Sequence, residues 1–198
     1  MNAPGLPPLK IAVLGSGAGS NYGAIAAAIE AGRLRAQVVA VVSDVAAAGI
    51  LDRAAAHRVR AIRLPAGRFK YKLEPEQEEG LARTLAGLDV ELVVLAGFMR
   101  LLKEPMIAAF PRRIINIHPS LLPKYPGLEA WRQALAAGDT VTGCTVHYVD
   151  LGMDTGEIIA QEVVPVLPDD TAATLHARIR IAEHALYPRV IGDFARAK

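Results

Sequence analysis

The chain has 198 residues, 52% of them hydrophobic, so it can bury a sizeable core. Its formal net charge of +2 argues against a nucleic-acid or membrane-surface protein, and no apolar run approaches the roughly 20 residues a membrane helix needs. A single cysteine, Cys144, excludes an internal disulfide framework and fits a reducing cytoplasm.

Residues 1–8 are rich in Pro and Gly and read as a loose tail without the apolar stretch of a secretory signal. Residues 10–14 (KIAVL) form a short apolar run bounded by glycine, read as a buried strand. GSGAGSN follows at 15–21, then an Ala-rich helix from about Asn21 to Ala31 that Gly32 ends. Residues 37–42 (QVVAVV) are a second strand, with Ser43 and Asp44 as turn or helix-start residues. Residues 49–57 read as a helix and 60–64 as a short third strand. PAGRFKYK at 65–72 is a basic loop. Residues 74–88 form an acid-fronted helix with Pro75 in its first turn, where proline is favoured. Residues 91–95 (ELVVL) are a fourth strand, 103–110 a short helix and 114–118 a fifth strand. Strands and helices alternate to this point, which predicts a Rossmann-like α/β fold, a mostly parallel sheet with helices on both faces. Residues 129–137 are helical. Residues 143–148 and 157–165 are two strands joined by a short connection, a late antiparallel edge pair. Asp169, Asp170 and Thr171 offer caps for a last helix reaching about Phe194. No repeat or domain linker interrupts residues 9–198, so one domain is expected there.

The chemistry concentrates in IINIHPSLLPKYPG, residues 114–127. Asn116 and His118 are two apart at a strand end and point to the same face. In open α/β sheets that carboxyl rim is where ligands bind. Taken alone, the pair fits a strand end that satisfies loop backbone as well as it fits a reactive site. GSGAGSN lies between a strand and a helix, where backbone N–H groups and a helix N-terminus favour an anion such as phosphate. It is not the dinucleotide fingerprint, because Ser20 stands where the third glycine would be. Asp44 is therefore read as a turn residue rather than a ribose contact. GFMRLL, 97–102, ends the fourth strand on the same rim; an apolar wall with one Arg suits a flat heteroaromatic ligand carrying a carboxylate. Asp154, in LGMDTGE, would raise the pKa of His118 if it lay close. Cys144 reads as a buried core residue. His57, His147 and His176 form no metal-ligand spacing.

These segments together resemble one family, the folate-dependent phosphoribosylglycinamide formyltransferases. The resemblance runs from about Lys10 to Phe194. Its most specific part is NIHPSLLPKYPG, with SGAGSN, LAGFMR, MDTG and EHALYP in the expected order. The resemblance implies formyl transfer from 10-formyltetrahydrofolate to the glycinamide amine of a ribonucleotide, with no metal. It places the catalytic groups at Asn116, His118 and Asp154, and the substrate phosphate at Gly19, Ser20 and Asn21. The substrate ribose falls at Glu183. The folate falls at Lys72, Met99, Arg100, Leu101 and Leu102, beside Asn116. It implies a mobile loop after Pro119, a cytoplasmic enzyme, and a monomer or homodimer. Lys72 stands where arginine is frequent, Glu157 follows MDTG where proline is frequent, and Ala18 replaces a polar residue of some members.

Three rivals share the formyl-folate domain. Formyltetrahydrofolate deformylase would add a domain before the first strand, and methionyl-tRNA formyltransferase an RNA-binding domain after the last helix. A sugar-nucleotide formyltransferase would differ in its substrate cradle. A non-catalytic nucleotide-binding module would keep Asp154 away from His118.

Overall fold

The computed structural model describes residues 7–197; most of the expected tail, residues 1–6, and Lys198 lie outside the described residues. In chain order the elements are β1 (Leu9–Leu14), α1 (Ser20–Glu30), β2 (Ala36–Ser43), α2 (Gly49–Ala56), β3 (Ala61–Arg63) and α3 (Pro75–Ala86). There follow β4 (Leu92–Leu95), α4 (Glu104–Ala109), β5 (Ile114–His118), α5 (Ala130–Ala136), β6 (Val141–Tyr148), β7 (Ile158–Pro165) and α6 (Ala172–Arg196). The strands form one seven-stranded sheet in the order β3-β2-β1-β4-β5-β6-β7. The first five are parallel, and β6 runs antiparallel to both β5 and β7, as the late edge pair predicted.

The strand runs are apolar on both faces because both faces are covered. Ile11, Val13, Leu92 and Val94 enter one core with α1, α2 and α6, while Ala12, Leu14, Val93 and Leu95 enter another with α3 and α4. Ile11, Val13, Leu92 and Val94 are all 0% exposed, and each such burial is worth about 1.5–3 kcal/mol. The sheet is therefore a firm floor for whatever its rim carries. The chain order reverses at β1, which has β2 on one side and β4 on the other. The crevice at the carboxyl ends of β1 and β4 is the topological switch point where α/β sheets bind ligands.

Some boundaries differ from expectation. β3 is shorter than expected. β6 begins at Val141 rather than 143, because Val141 and Thr142 find partners in Pro165 and Val164. Gly143 is required there, since a Cβ would lie 2.0 Å from the Glu162 carbonyl oxygen. α6 starts as expected, with the Thr171 hydroxyl accepting from Thr174 N, but it continues to Arg196 through Pro188. Next to that proline, Tyr187 is fully buried. Its hydroxyl proton faces the carbonyl oxygens of Leu95 at 2.8 Å and Ile115 at 3.1 Å, which ties α6 to the ends of β4 and β5.

Candidate active site

Asn116 and His118 sit on the face of β5 that also carries Ile114. Antiparallel pairing sets Asn116 opposite His147 and His118 opposite Thr145, so those two β6 side chains arrive on the same face. Asp154 is carried by the turn between β6 and β7 with φ 56, a left-handed conformation that Asp and Asn tolerate. Three chain segments thus converge. Asp154 Oδ2 is 3.3 Å from His118 Nδ1 and accepts from the Gly127 amide at 2.8 Å. Asn116 Nδ2 is 3.1 Å from His147 Nε2 and 3.4 Å from Asp154 Oδ1. This adjacency counts against the non-catalytic module.

His147, which has no metal-ligand spacing in the sequence, is an integral part of the cluster. Its Nδ1 lies 2.7 Å from the Tyr148 carbonyl, which demands a proton on Nδ1. Its Nε2 faces both Asn116 Nδ2 at 3.1 Å and Asp154 Oδ1 at 3.5 Å, so it ties the amide and the carboxylate together. Alternation along β6 puts Thr145 and His147 on one face, but only the β5–β6 register puts that face beside Asn116.

Asp154 does lie close and does raise the pKa of His118, as expected, but the net shift is downward. Burial pushes the imidazole below its ordinary value; the Asp154 carboxylate and the Tyr125 carbonyl pull the other way and lose. Only 5% of the His118 side chain is exposed, which is why desolvation prevails. Burial would also raise Asp154, but contacts with His147, His118 and the Gly127 amide together hold it below its ordinary value. The resting pair is therefore a carboxylate beside a largely neutral imidazole. His118 Nε2 donates to the Tyr125 carbonyl at 2.8 Å. That carbonyl belongs to the loop after Pro119, pinned by Lys124 Nζ and the Tyr125 hydroxyl on Asp139.

The glycine loop lies across the rim. Gly19 has φ 74, and a Cβ there would lie 2.8 Å from Ile50 Cα, so glycine is needed for both conformation and space. α1 has no acidic residue in its first turn and no side-chain cap, so its N-terminal amides stay open to an anion. Ser20 opens that helix. Asn21 does not turn its amide to the loop: Nδ2 donates to Glu183 Oε2 at 2.9 Å. The loop and Glu183 are thereby one assembly. Glu183 is 5% exposed, and burial pushes its pKa up to about 7 against the Asn21 hydrogen bond and the Arg180 charge.

Residues 97–102 close the other side. A cavity is lined by Phe98, Arg100, Leu102, Asn116, His147 and Asp154. Leu101 N donates to the Tyr71 carbonyl, and Lys72 bridges Leu101, which brings Lys72 beside this wall; its ammonium lies over the Phe69 ring. Met99, Leu151 and Met153 are each about half exposed. Arg100 lines that cavity with its charge paired. Its Nε donates to Asp44 Oδ2 at 2.7 Å and its Nη1 to the Phe69 carbonyl, so its charge is already met inside the protein. Asp44 is not a helix start; α2 is capped at Ala48. It also accepts from the Ser16 hydroxyl, whose oxygen accepts from Met99 N at 2.9 Å. The glycine loop and the apolar wall are thus pinned to each other through Asp44. Burial raises the Cys144 thiol to about 12, in keeping with a core residue. Among the described residues, no group of three or more His, Cys, Asp or Glu is placed to hold a metal, and no helix is long and apolar enough to cross a membrane.

Comparison with known proteins matches residues 9–191 to the formyl transferase family. The phosphoribosylglycinamide formyltransferase of Bacillus subtilis is 42% identical over 92% of this chain and 92% of its own. The trifunctional purine biosynthetic protein adenosine-3 of Drosophila pseudoobscura pseudoobscura is 46% identical over 96% of this chain, which spans 14% of that protein's length. The crystal structure of glycinamide ribonucleotide transformylase 1 from Symbiobacterium toebii superposes with a TM-score of 0.90 at 47% identity, covering 96% of this chain and 89% of that one.

Proposed function

Because the chain belongs to the formyl transferase family, and within it to the phosphoribosylglycinamide formyltransferases, we propose that it transfers the formyl group of 10-formyltetrahydrofolate to the amine of 5′-phosphoribosylglycinamide. The products are the formylglycinamide ribonucleotide and tetrahydrofolate, in cytoplasmic purine synthesis, with residues 9–198 acting as one catalytic unit. The observation that carries this reading is the convergence of Asn116, His118 and Asp154 between an open anion cradle and an apolar wall.

The amine nitrogen attacks the formyl carbon and the carbonyl oxygen becomes an oxyanion. Asn116 donates to that oxygen with the amide hydrogen that gives up its long 3.4 Å contact with Asp154, the amide staying oriented by His147. One such preorganised donor is worth about 3–4 kcal/mol in comparable acyl transfers. His118 is neutral at rest, so it accepts the proton the amine loses, and the imidazolium forms 3.3 Å from the Asp154 carboxylate. The carbon–nitrogen bond to the folate then breaks and the proton passes to the leaving folate nitrogen. For His118 to accept that proton, its Nε2 leaves the Tyr125 carbonyl as the loop gives way and its one proton moves to Nδ1, facing Asp154 Oδ2, which frees the Nε2 lone pair for the amine proton. Gly19 and Ser20 receive the phosphate, Glu183 the ribose hydroxyls, and Met99, Leu101, Leu102 and Lys72 the folate. Arg100 serves that pocket by holding its wall to Asp44.

The test is formyl transfer by purified protein, supplying 10-formyltetrahydrofolate with and without the ribonucleotide. Tetrahydrofolate release that requires the ribonucleotide, with stoichiometric formylated product, is expected. Release without it would mean a deformylase, and silence in both arms another formyl acceptor or a binding module.

A further inference from the structure

Arg53 lies on the exposed face of α2, outside every contact assigned so far. Among the described residues no carboxylate pairs with it; its Nε donates to the Ala18 carbonyl at 2.8 Å. One turn earlier on α2, Ile50 N donates to the Gly17 carbonyl at 3.0 Å. α2 thus holds two successive carbonyls of the glycine loop. A trans peptide sets its C=O and the following N–H on opposite sides. Drawing the Gly17 and Ala18 carbonyls toward α2 therefore turns the Ala18 and Gly19 amides away from it. Among the described residues neither amide has a protein acceptor. The packing leaves the loop little freedom to swing back. A Cβ on Gly49 would lie 3.3 Å from Ala18 Cα, and one on Gly23, in α1, would lie 3.3 Å from Arg53 Nη1. Glycine at 23 leaves the guanidinium room between α1 and the loop.

We propose that Arg53 is a positioning residue for the ribonucleotide phosphate: by holding the Ala18 carbonyl it fixes the Gly19 amide in the orientation that receives the phosphate. This rests on the transformylase reading above. It assigns Arg53 a hydrogen-bonding role on the loop and not a counter-charge role on the ligand.

Two substitutions separate those roles. In Arg53→Met the side chain keeps its length but places a methyl where Nε stands. In Arg53→Gln the charge is gone, but the terminal amide nitrogen occupies the chain position of Nε and still donates to Ala18. Ribonucleotide affinity by calorimetry should weaken about 3- to 10-fold in Arg53→Met, the usual worth of one hydrogen bond. kcat and the KM for the formyl-folate should not move. Arg53→Gln should stay within about twofold of the parent. The ribonucleoside lacking the phosphate should bind Arg53→Met and the parent equally. Unchanged ribonucleotide affinity in Arg53→Met overturns the proposal, as does an Arg53→Gln loss equal to that of Arg53→Met, or a parallel rise in the folate KM. Parent protein that binds no ribonucleotide overturns the transformylase reading and this inference together; parent binding with an unaffected Arg53→Met overturns the inference alone.

Discussion

Replacing Asp154 with Asn isolates the carboxylate charge. Position 154 has φ 56, where Asn is as well tolerated as Asp, and the Asn side-chain oxygen still accepts from the Gly127 amide. The backbone should therefore hold. What is lost is the anion 3.3 Å from His118 Nδ1. At an effective dielectric near 20, two unit charges at that separation attract by about 5 kcal/mol, which sets a ceiling of roughly 4,000-fold on the rate effect. Since neutral His118 becomes charged only as the amine proton arrives, most of that attraction appears in the transition state. We expect kcat to fall by about 10²–10³-fold, below that ceiling and within the range of general acid–base contributions, with ribonucleotide affinity changed less than about threefold. Steady-state formyl transfer supplies kcat, and calorimetry with the ribonucleotide supplies the affinity. An unchanged kcat, or an affinity loss as large as the kcat loss, would refute the assignment of Asp154 to the imidazolium.

Glu183 titrates at about 7, and a carboxylate accepts ribose hydroxyls better than a carboxylic acid does. Ribonucleotide affinity should therefore weaken about tenfold between pH 8 and pH 6, and Glu183→Gln should flatten the profile; a pH dependence that survives this change removes Glu183 from the ribose. For folding the sign reverses: the raised carboxyl contributes stability below its ordinary 4.5 that is lost as pH rises through about 7, so Glu183→Gln should stabilise the protein at alkaline pH in thermal melts. Gly19→Ala should weaken ribonucleotide binding by at least about tenfold, because a loop forced to move by the 2.8 Å approach to Ile50 no longer aims its amides; normal affinity would take the phosphate away from this loop. Asp44→Ala leaves Arg100 largely buried without its partner and should lower the unfolding free energy by about 3 kcal/mol. An unfolding free energy from denaturant titration within about 0.5 kcal/mol of the parent (roughly the noise of a surface change) would deny the pair its pinning role.

Much of this protein was legible from local pattern. Apolar runs such as KIAVL and ELVVL, spaced by helices, dictated a sheet covered on both faces, because strands buried on two sides must be apolar at every position. The pleat put Asn116 and His118 on one face, since its period is two. The glycine loop between strand and helix announced an anion cradle, because open amides follow from helix geometry alone. What long-range packing decided lay beyond such rules. The β5–β6 register, set by pairing across the sheet, brought His147 to Asn116. Asn21 and Glu183 lie 162 residues apart in the chain, and only the packing of α6 against α1 joins them. Arg100 is paired with Asp44, a partner no spacing rule connects to it. The balance at His118 was reversed for the same reason: a sequence names the carboxylate beside an imidazole, but desolvation depends on everything folded around it, and here burial outweighs the charge.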